Sequence, residues 1–163
     1  MLIFEKFSLY GFSVEYPNDW EFEMNPKSRR NEGDIVFKSK EGTKIFLSWG
    51  ELDKIKKKCE TPEIHSKLTL KKLEKVTGVK SIKILNIEEK TCNDHKTSVY
   101  HVMLDTQSKF SYMLFANKQI EIIFTHIHCG QSNRYFSIYS HIPYKNQIQI
   151  DIFNSMLQSF KCH

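Results

Sequence analysis

The sequence predicts a single α+β domain over residues 1–163, with an antiparallel β-sheet sandwiched between helices in α/β/α layers. Three observations carry this reading. Short runs that alternate apolar and polar residues recur along most of the chain, separated by turn residues. Two stretches, one mid-chain and one near residue 160, switch to helical periodicity. The later strands are apolar on both faces, whereas an antiparallel sheet with one wet face would alternate.

The first strands are short. Gly11 precedes Phe12-Ser13-Val14-Glu15-Tyr16, which stops at Pro17 because proline cannot donate to a ladder. Trp20 to Met24 alternates in the same way and closes at Asn25-Pro26. After a polar loop (27–33), Asp34–Ser39 and Thr43–Trp49 form a hairpin across Lys40-Glu41-Gly42.

Residues 50–78 are the helical region. Leu52, Ile55 and Cys59 give a turn or two. Thr61-Pro62-Glu63 supplies an N-cap, a proline in the first turn and an acid beside it, so a helix is predicted over 62–77, with Ser66 as a competing cap and Gly78 as terminator. Its apolar residues, Leu68, Leu70, Leu73 and Val76, form an untidy stripe.

From residue 80 four or five strands follow in a meander: 81–91, 95–104, 109–116, 119–129 and 134–141, joined by links short enough for hairpins. Hairpin register places Tyr100, Val102, Leu104, Met113, Ile122, Phe124 and Tyr139 on one face. Val99, Met103, Phe110, Leu114, Ile123, Ile127, Phe136 and Ile138 fall on the other. With both faces apolar, the two helices and the N-terminal strands are expected to cover them. Ile148, Ile152, Phe153, Met156, Leu157 and Phe160 then mark a terminal amphipathic helix over 147–160.

Composition excludes little. Hydrophobic residues are 40%, charged residues 26% and aromatics 13%, ordinary for a globular chain that favours sheet. A net charge of +5, from 24 Lys/Arg against 19 Asp/Glu, permits an anionic partner without requiring one. Cys59, Cys92, Cys129 and Cys162 form no CxxC pair and fit neither a zinc ribbon nor a redox motif. No signal peptide or membrane span is read at Met1 to Phe12, so free thiols in a reducing cytoplasm are expected.

The order of motifs resembles the PsbP-like family, whose fold is shared by the photosystem II extrinsic protein and a yeast Ran-binding import factor. The resemblance rests on Gly11-Phe12-Ser13-Val14-Glu15-Tyr16-Pro17-Asn18-Asp19-Trp20, on the strand pair 34–39 and 43–49, on the following helix, and on the run from Ser81 to Leu104. It closes at Ile152-Phe153-Asn154-Ser155-Met156-Leu157-Gln158-Ser159-Phe160-Lys161. It implies an antiparallel sheet between helices and a mostly non-catalytic role in binding protein complexes. It carries over no Ran-contacting residue.

No phosphate loop, HExxH, GxSxG or calcium loop is present, and neither an enzyme nor a cofactor is expected. The expected function is therefore docking onto a protein partner. One alternative is polyanion or nucleic-acid binding through a basic helical region, 54–75, where Lys54, Lys57, Lys58, Lys71 and Lys72 stand out beside Lys56, Lys67 and Lys75. Arg29 and Arg30, with Lys27, add a basic loop. A second alternative is a metal or small-ligand site at His126 and His128, which point the same way along a strand while Cys129 points away. His141 shares their face but lies opposite Ile122, roughly 13 Å from His126. Cys162-His163 reads as a frayed end. Cys129, with Arg134 across the ladder, reads as a half-buried structural thiol rather than a nucleophile. Trp20 and Trp49 read as core anchors.

Overall fold

The computed structural model describes residues 1–106 and 119–163. β1 (Phe4–Leu9) and β2 (Phe12–Pro17) form a separate antiparallel hairpin. Tyr10 (φ 50°) and Gly11 (φ 81°) both occupy the left-handed region at its turn, the geometry that matches strand twist in a two-residue connection. β1 was not among the expected strands. Its burial pattern is mostly solvated, so Phe4-Glu5-Lys6 carries only a weak strand signal.

Seven strands make the main sheet: β3 (Glu21–Met24), β4 (Gly33–Lys38), β5 (Lys44–Glu51), β6 (Val79–Cys92), β7 (His95–Thr106), β8 (Gln119–Cys129) and β9 (Arg134–Pro143). The order is β3-β4-β5-β9-β8-β7-β6, antiparallel throughout. Two expectations are corrected here. The early strands β3–β5 do not cover the sheet but extend it, because β5 pairs with β9 along Lys44↔His141 to Glu51↔Arg134. β7 pairs directly with β8 from Tyr100↔Phe124 to Asp105↔Gln119, whereas the expected meander put the run 109–116 between them in the ladder order. The strand expected over 109–116, with Phe110, Met113 and Leu114, lies outside the described residues.

The two-faced reading holds for the described residues, save that Met103 is not part of the larger core. On one face Tyr100, Val102, Leu104, Ile122 and Phe124 form a buried cluster with Leu73. That leucine comes from α2 (Pro62–Glu74), which follows the one-turn helix α1 (Leu52–Ile55). On the other face Val99, Ile123, Ile127, Phe136 and Ile138 join Ile35, Phe37, Ile45, Leu47 and Trp49 in the larger core. That core is closed by the β1–β2 hairpin and by α3 (Gln147–Ser159) through Phe12, Val14, Ile152, Phe153, Met156 and Leu157. Trp20 and Trp49 are both core residues.

The Thr61 side chain caps α2 by accepting from the Ile64 N–H at 3.2 Å, and Pro62 follows it. Ser66 is no cap but a buried residue inside the helix. The untidy stripe has a physical cause: besides Leu70 and Leu73, α2 turns His65, Ser66 and Thr69 toward the sheet, and Val76 is exposed beyond its end. In α3, Ile148 is 65% exposed rather than part of the core stripe. The buried position of that first turn belongs to Gln149, whose Nε2 donates to Glu41.

Candidate functional site

The predicted histidine pair acquires a third member. His65 of α2 stacks on His126, with ring centroids 3.7 Å apart and planes at 14°, and its Nδ1 lies 3.2 Å from His128 Nε2. Both nitrogens of His126 are engaged, Nδ1 with Ser137 Oγ at 2.7 Å and Nε2 with Thr69 Oγ1 at 2.9 Å. Stacked rings lie in near-parallel planes, so their lone pairs do not aim at one point. Burial lowers the pKa of all three: His65 and His128 come down to about 4, and His126, the most enclosed, falls well below its ordinary value. His141 stays apart, paired with Ile122 as the register requires and hydrogen-bonded to Tyr139. This is a neutral, stacked contact between helix and sheet.

The converging ligand set is on the opposite face. Among the described residues, His95, Cys129, Cys162 and His163 bring one ligating atom each within 4.8 Å of all the others. Topology assembles them. β7 begins and β8 ends at the same end of the sheet, and continuing their register puts His95 level with Cys129. The segment after α3 is not frayed, contrary to expectation. Lys161 makes paired backbone hydrogen bonds with Ser13 at 2.9 and 2.8 Å, and this seats Cys162 in the core with no exposed surface. His163 Nδ1 then lies 3.2 Å from Cys162 Sγ and 3.4 Å from Cys129 Sγ.

Cys129 is fully buried, not half-buried, with Arg134 facing it across the ladder and His163 of the tail against its sulfur. Burial works to raise its pKa, but neighbouring Ser132, Cys162 and His163 outweigh that and bring it down to about 6. Burial, reinforced by Cys129, pushes the Cys162 thiol up to about 12. Arg134 faces Cys129 across the ladder, donates to the Cys162 carbonyl at 3.3 Å, and lies over the Phe12 and Phe136 rings. Neither sulfur is exposed, and buried sulfurs beside imidazoles suit a small ion.

The basic residues are split. α1 ends at Ile55 and α2 begins at Pro62, so 54–75 is not one helix, and Lys57 and Lys58 sit in the turns between. Lys54, Lys56 and Lys67 pair with Glu51, Asp53 and Glu63. Lys57, Lys58, Lys71 and Lys72 are exposed and have no ion pair among the described residues. Arg29 pairs with Glu32, and its carbonyl accepts from Trp49 Nε1 at 2.8 Å, so the basic loop carrying Arg30 is pinned at its base.

The sheet ends differently at its two edges. β3 is four residues long and carries Glu21 and Glu23, a guarded edge. β6 is fourteen residues long and, among the described residues, pairs only with β7. Ile84, Leu85 and Ile87 on it are 44, 40 and 48% exposed. A bulge between Ile84 and Asn86 keeps Ile84 opposite Val102 and Ile87 opposite Tyr100, so this apolar strip continues the cluster under α2.

No protein-family model matches the chain, and comparison with curated proteins finds no match. Solved structures do match. The cyanobacterial PsbP (CyanoP) of Synechocystis sp. PCC 6803 superposes with a TM-score of 0.70 at 10% identity, over 100% of this chain and 94% of that one. The Ran-binding protein Mog1p of Saccharomyces cerevisiae does so with a TM-score of 0.59 at 12% identity, over 99% of this chain and 96% of that one. With the element order, the two covered faces and whole-length superposition in agreement, the chain has the PsbP-like fold.

Proposed function

We propose that residues 1–163 act as a single non-enzymatic accessory module that docks onto a protein partner through the β6 edge. The carrying observation is that the outer edge of β6, beside exposed Ile84, Leu85 and Ile87, pairs with no other strand among the described residues. An added strand would satisfy backbone groups on that edge, while the apolar strip supplies side-chain contact. The Ran-binding description of Mog1p, a protein of the same fold, supports a protein partner. Four unbridged cysteines suit a reducing compartment such as the cytoplasm. Among the described residues no helix is long and apolar enough to cross a membrane, which leaves β-barrels unaddressed.

A second reading uses the exposed Lys57, Lys58, Lys71 and Lys72, joined by Arg29 and Arg30, as a polyanion surface. One experiment separates the two. The protein is captured with its bound partners from its own lysate, with and without nuclease, and compared with Ile84→Glu/Ile87→Glu and Lys71→Glu/Lys72→Glu. A nuclease-resistant protein partner lost only in the isoleucine variant supports edge docking. Capture that is nuclease-sensitive and lost only in the lysine variant transfers the function to the basic surface.

A further inference from the structure

We propose that His95, Cys129, Cys162 and His163 form a binding site for one thiophilic, tetrahedral divalent cation of the Zn²⁺ class. Four donors of the right kinds, two sulfurs and two imidazole nitrogens, lie within 4.8 Å of one another. Zinc bond lengths to sulfur and nitrogen put neighbouring ligand atoms about 3.5 Å apart in a tetrahedron. The spacings from His163 Nδ1 to the two sulfurs, 3.2 and 3.4 Å, are already close to that. Closing the set needs small side-chain adjustments and no movement of strands.

The surroundings fit a cation held by thiolates. His95 Nε2 is buried and has no hydrogen-bond partner among the described residues, an orphan that a metal ion would satisfy. Asn93 Nδ2 donates to Cys162 Sγ at 3.2 Å, the kind of outer contact that steadies a thiolate ligand. Arg134 Nε and Nη1 are likewise buried without acceptors among the described residues, and this guanidinium faces Cys129 across the ladder. With both cysteines bound as thiolates the two negative charges balance the dication, so the filled site carries no net charge at a buried end of the core. Sulfur with imidazole selects Zn²⁺ or its tetrahedral analogues over Mg²⁺ or Ca²⁺.

The donors also come from parts of the chain that need joining. His95 opens β7, Cys129 closes β8, and Cys162 and His163 follow α3. A bound ion would cross-link the sheet to the tail that covers it.

The test uses the full chain, purified without a histidine tag under reducing conditions and titrated with Co²⁺. The expected result is one equivalent bound, with a thiolate-to-cobalt charge-transfer band and the intense visible bands of a tetrahedral site, both removed by added Zn²⁺. Cys162→Ser and His163→Gln should each weaken binding at least tenfold and change the spectrum, while His126→Asn leaves it unaltered. His163 is exposed, so its variant stays informative if the cysteine variant does not fold. Binding without a charge-transfer band, binding that survives both Cys162→Ser and His163→Gln, or binding lost in His126→Asn alone would overturn the assignment. So would a Cys129–Cys162 disulfide in protein kept reduced.

Discussion

His65 on α2 and His126 on β8 lie face to face, 3.7 Å apart, and neither ring has room to carry a proton cheaply. His65 is held at about 4 by burial and then by the nearby His128 and Lys72, and burial, followed by His65, His128 and Lys72, holds His126 well below its ordinary value. In the unfolded chain both return to the ordinary 6.5. The sign follows: folded values lie below unfolded ones, so unfolding takes up protons. Stability is therefore complete above pH 6.5 and falls as pH drops from 6.5 toward 4. Thermal melts across that window should show a falling Tm in the parent and a shallower slope in His126→Asn, which keeps a polar group for Ser137 and Thr69. An unchanged slope in that variant would show that acid destabilisation arises elsewhere.

How much of this was legible follows from which signals are local. Strand alternation, the Thr61-Pro62 cap and the Phe153/Met156/Leu157 spacing are local, and the strands from β6 to β9 lie within two residues of their expected bounds. The two faces of the sheet were recovered because side-chain alternation survives any correct antiparallel register. The β5–β9 pairing was not legible, since nothing near Trp49 names Phe136 as its neighbour. The same limit hid the sites. His126 and His128 drew attention as neighbours in sequence, yet their companion is His65, about sixty residues away and inside a helix whose stripe looked imperfect. The thiol–imidazole cluster was missed more completely. His95, Cys129 and the adjacent pair Cys162-His163 are each more than thirty residues apart, unlike CxxC spacing, and Cys162-His163 looks like loose tail until Lys161 is seen paired with Ser13.

Gly33 faces the Trp49 indole so closely that an added Cβ would lie 2.4 Å from a ring carbon, with Ser28 a further obstacle at 2.7 Å. Gly33→Ala should destabilise the fold by about 1–3 kcal/mol through overpacking. Trp49→Phe removes the hydrogen bond to the Arg29 carbonyl, and its loss should cost about 1 kcal/mol while raising amide exchange over 27–33. Chemical denaturation with hydrogen exchange distinguishes the two. A neutral Gly33→Ala would mean that the indole has space to move.

Thr61 holds the first turn of α2, which carries His65 and Leu73 onto the sheet. Thr61→Ala should cost about 1 kcal/mol, and Thr61→Ser much less, because serine retains the accepting oxygen. Denaturant midpoints of the two variants make the comparison. Equal losses would show that the threonine methyl, not the cap, matters.

Phe160 is the hinge between the core and the tail that carries Cys162. Its ring meets Phe12 at 6.4 Å and Phe136 at 5.0 Å between centroids, and Lys161 immediately bridges to Ser13. Phe160→Ala should cost about 3–5 kcal/mol, a full aromatic cavity in the core. Ile148→Ala, in the same terminal region but exposed, should stay within about 0.5 kcal/mol. Because the Phe160 ring positions the backbone that seats Cys162, Phe160→Ala should also weaken Co²⁺ binding under conditions where it remains folded, and Ile148→Ala should not. Urea unfolding and the cobalt titration, run on the same preparations, read both effects. Loss of stability with undiminished cobalt affinity would separate the aromatic anchor from the metal site and place the tail's order in the Ser13–Lys161 bridge alone.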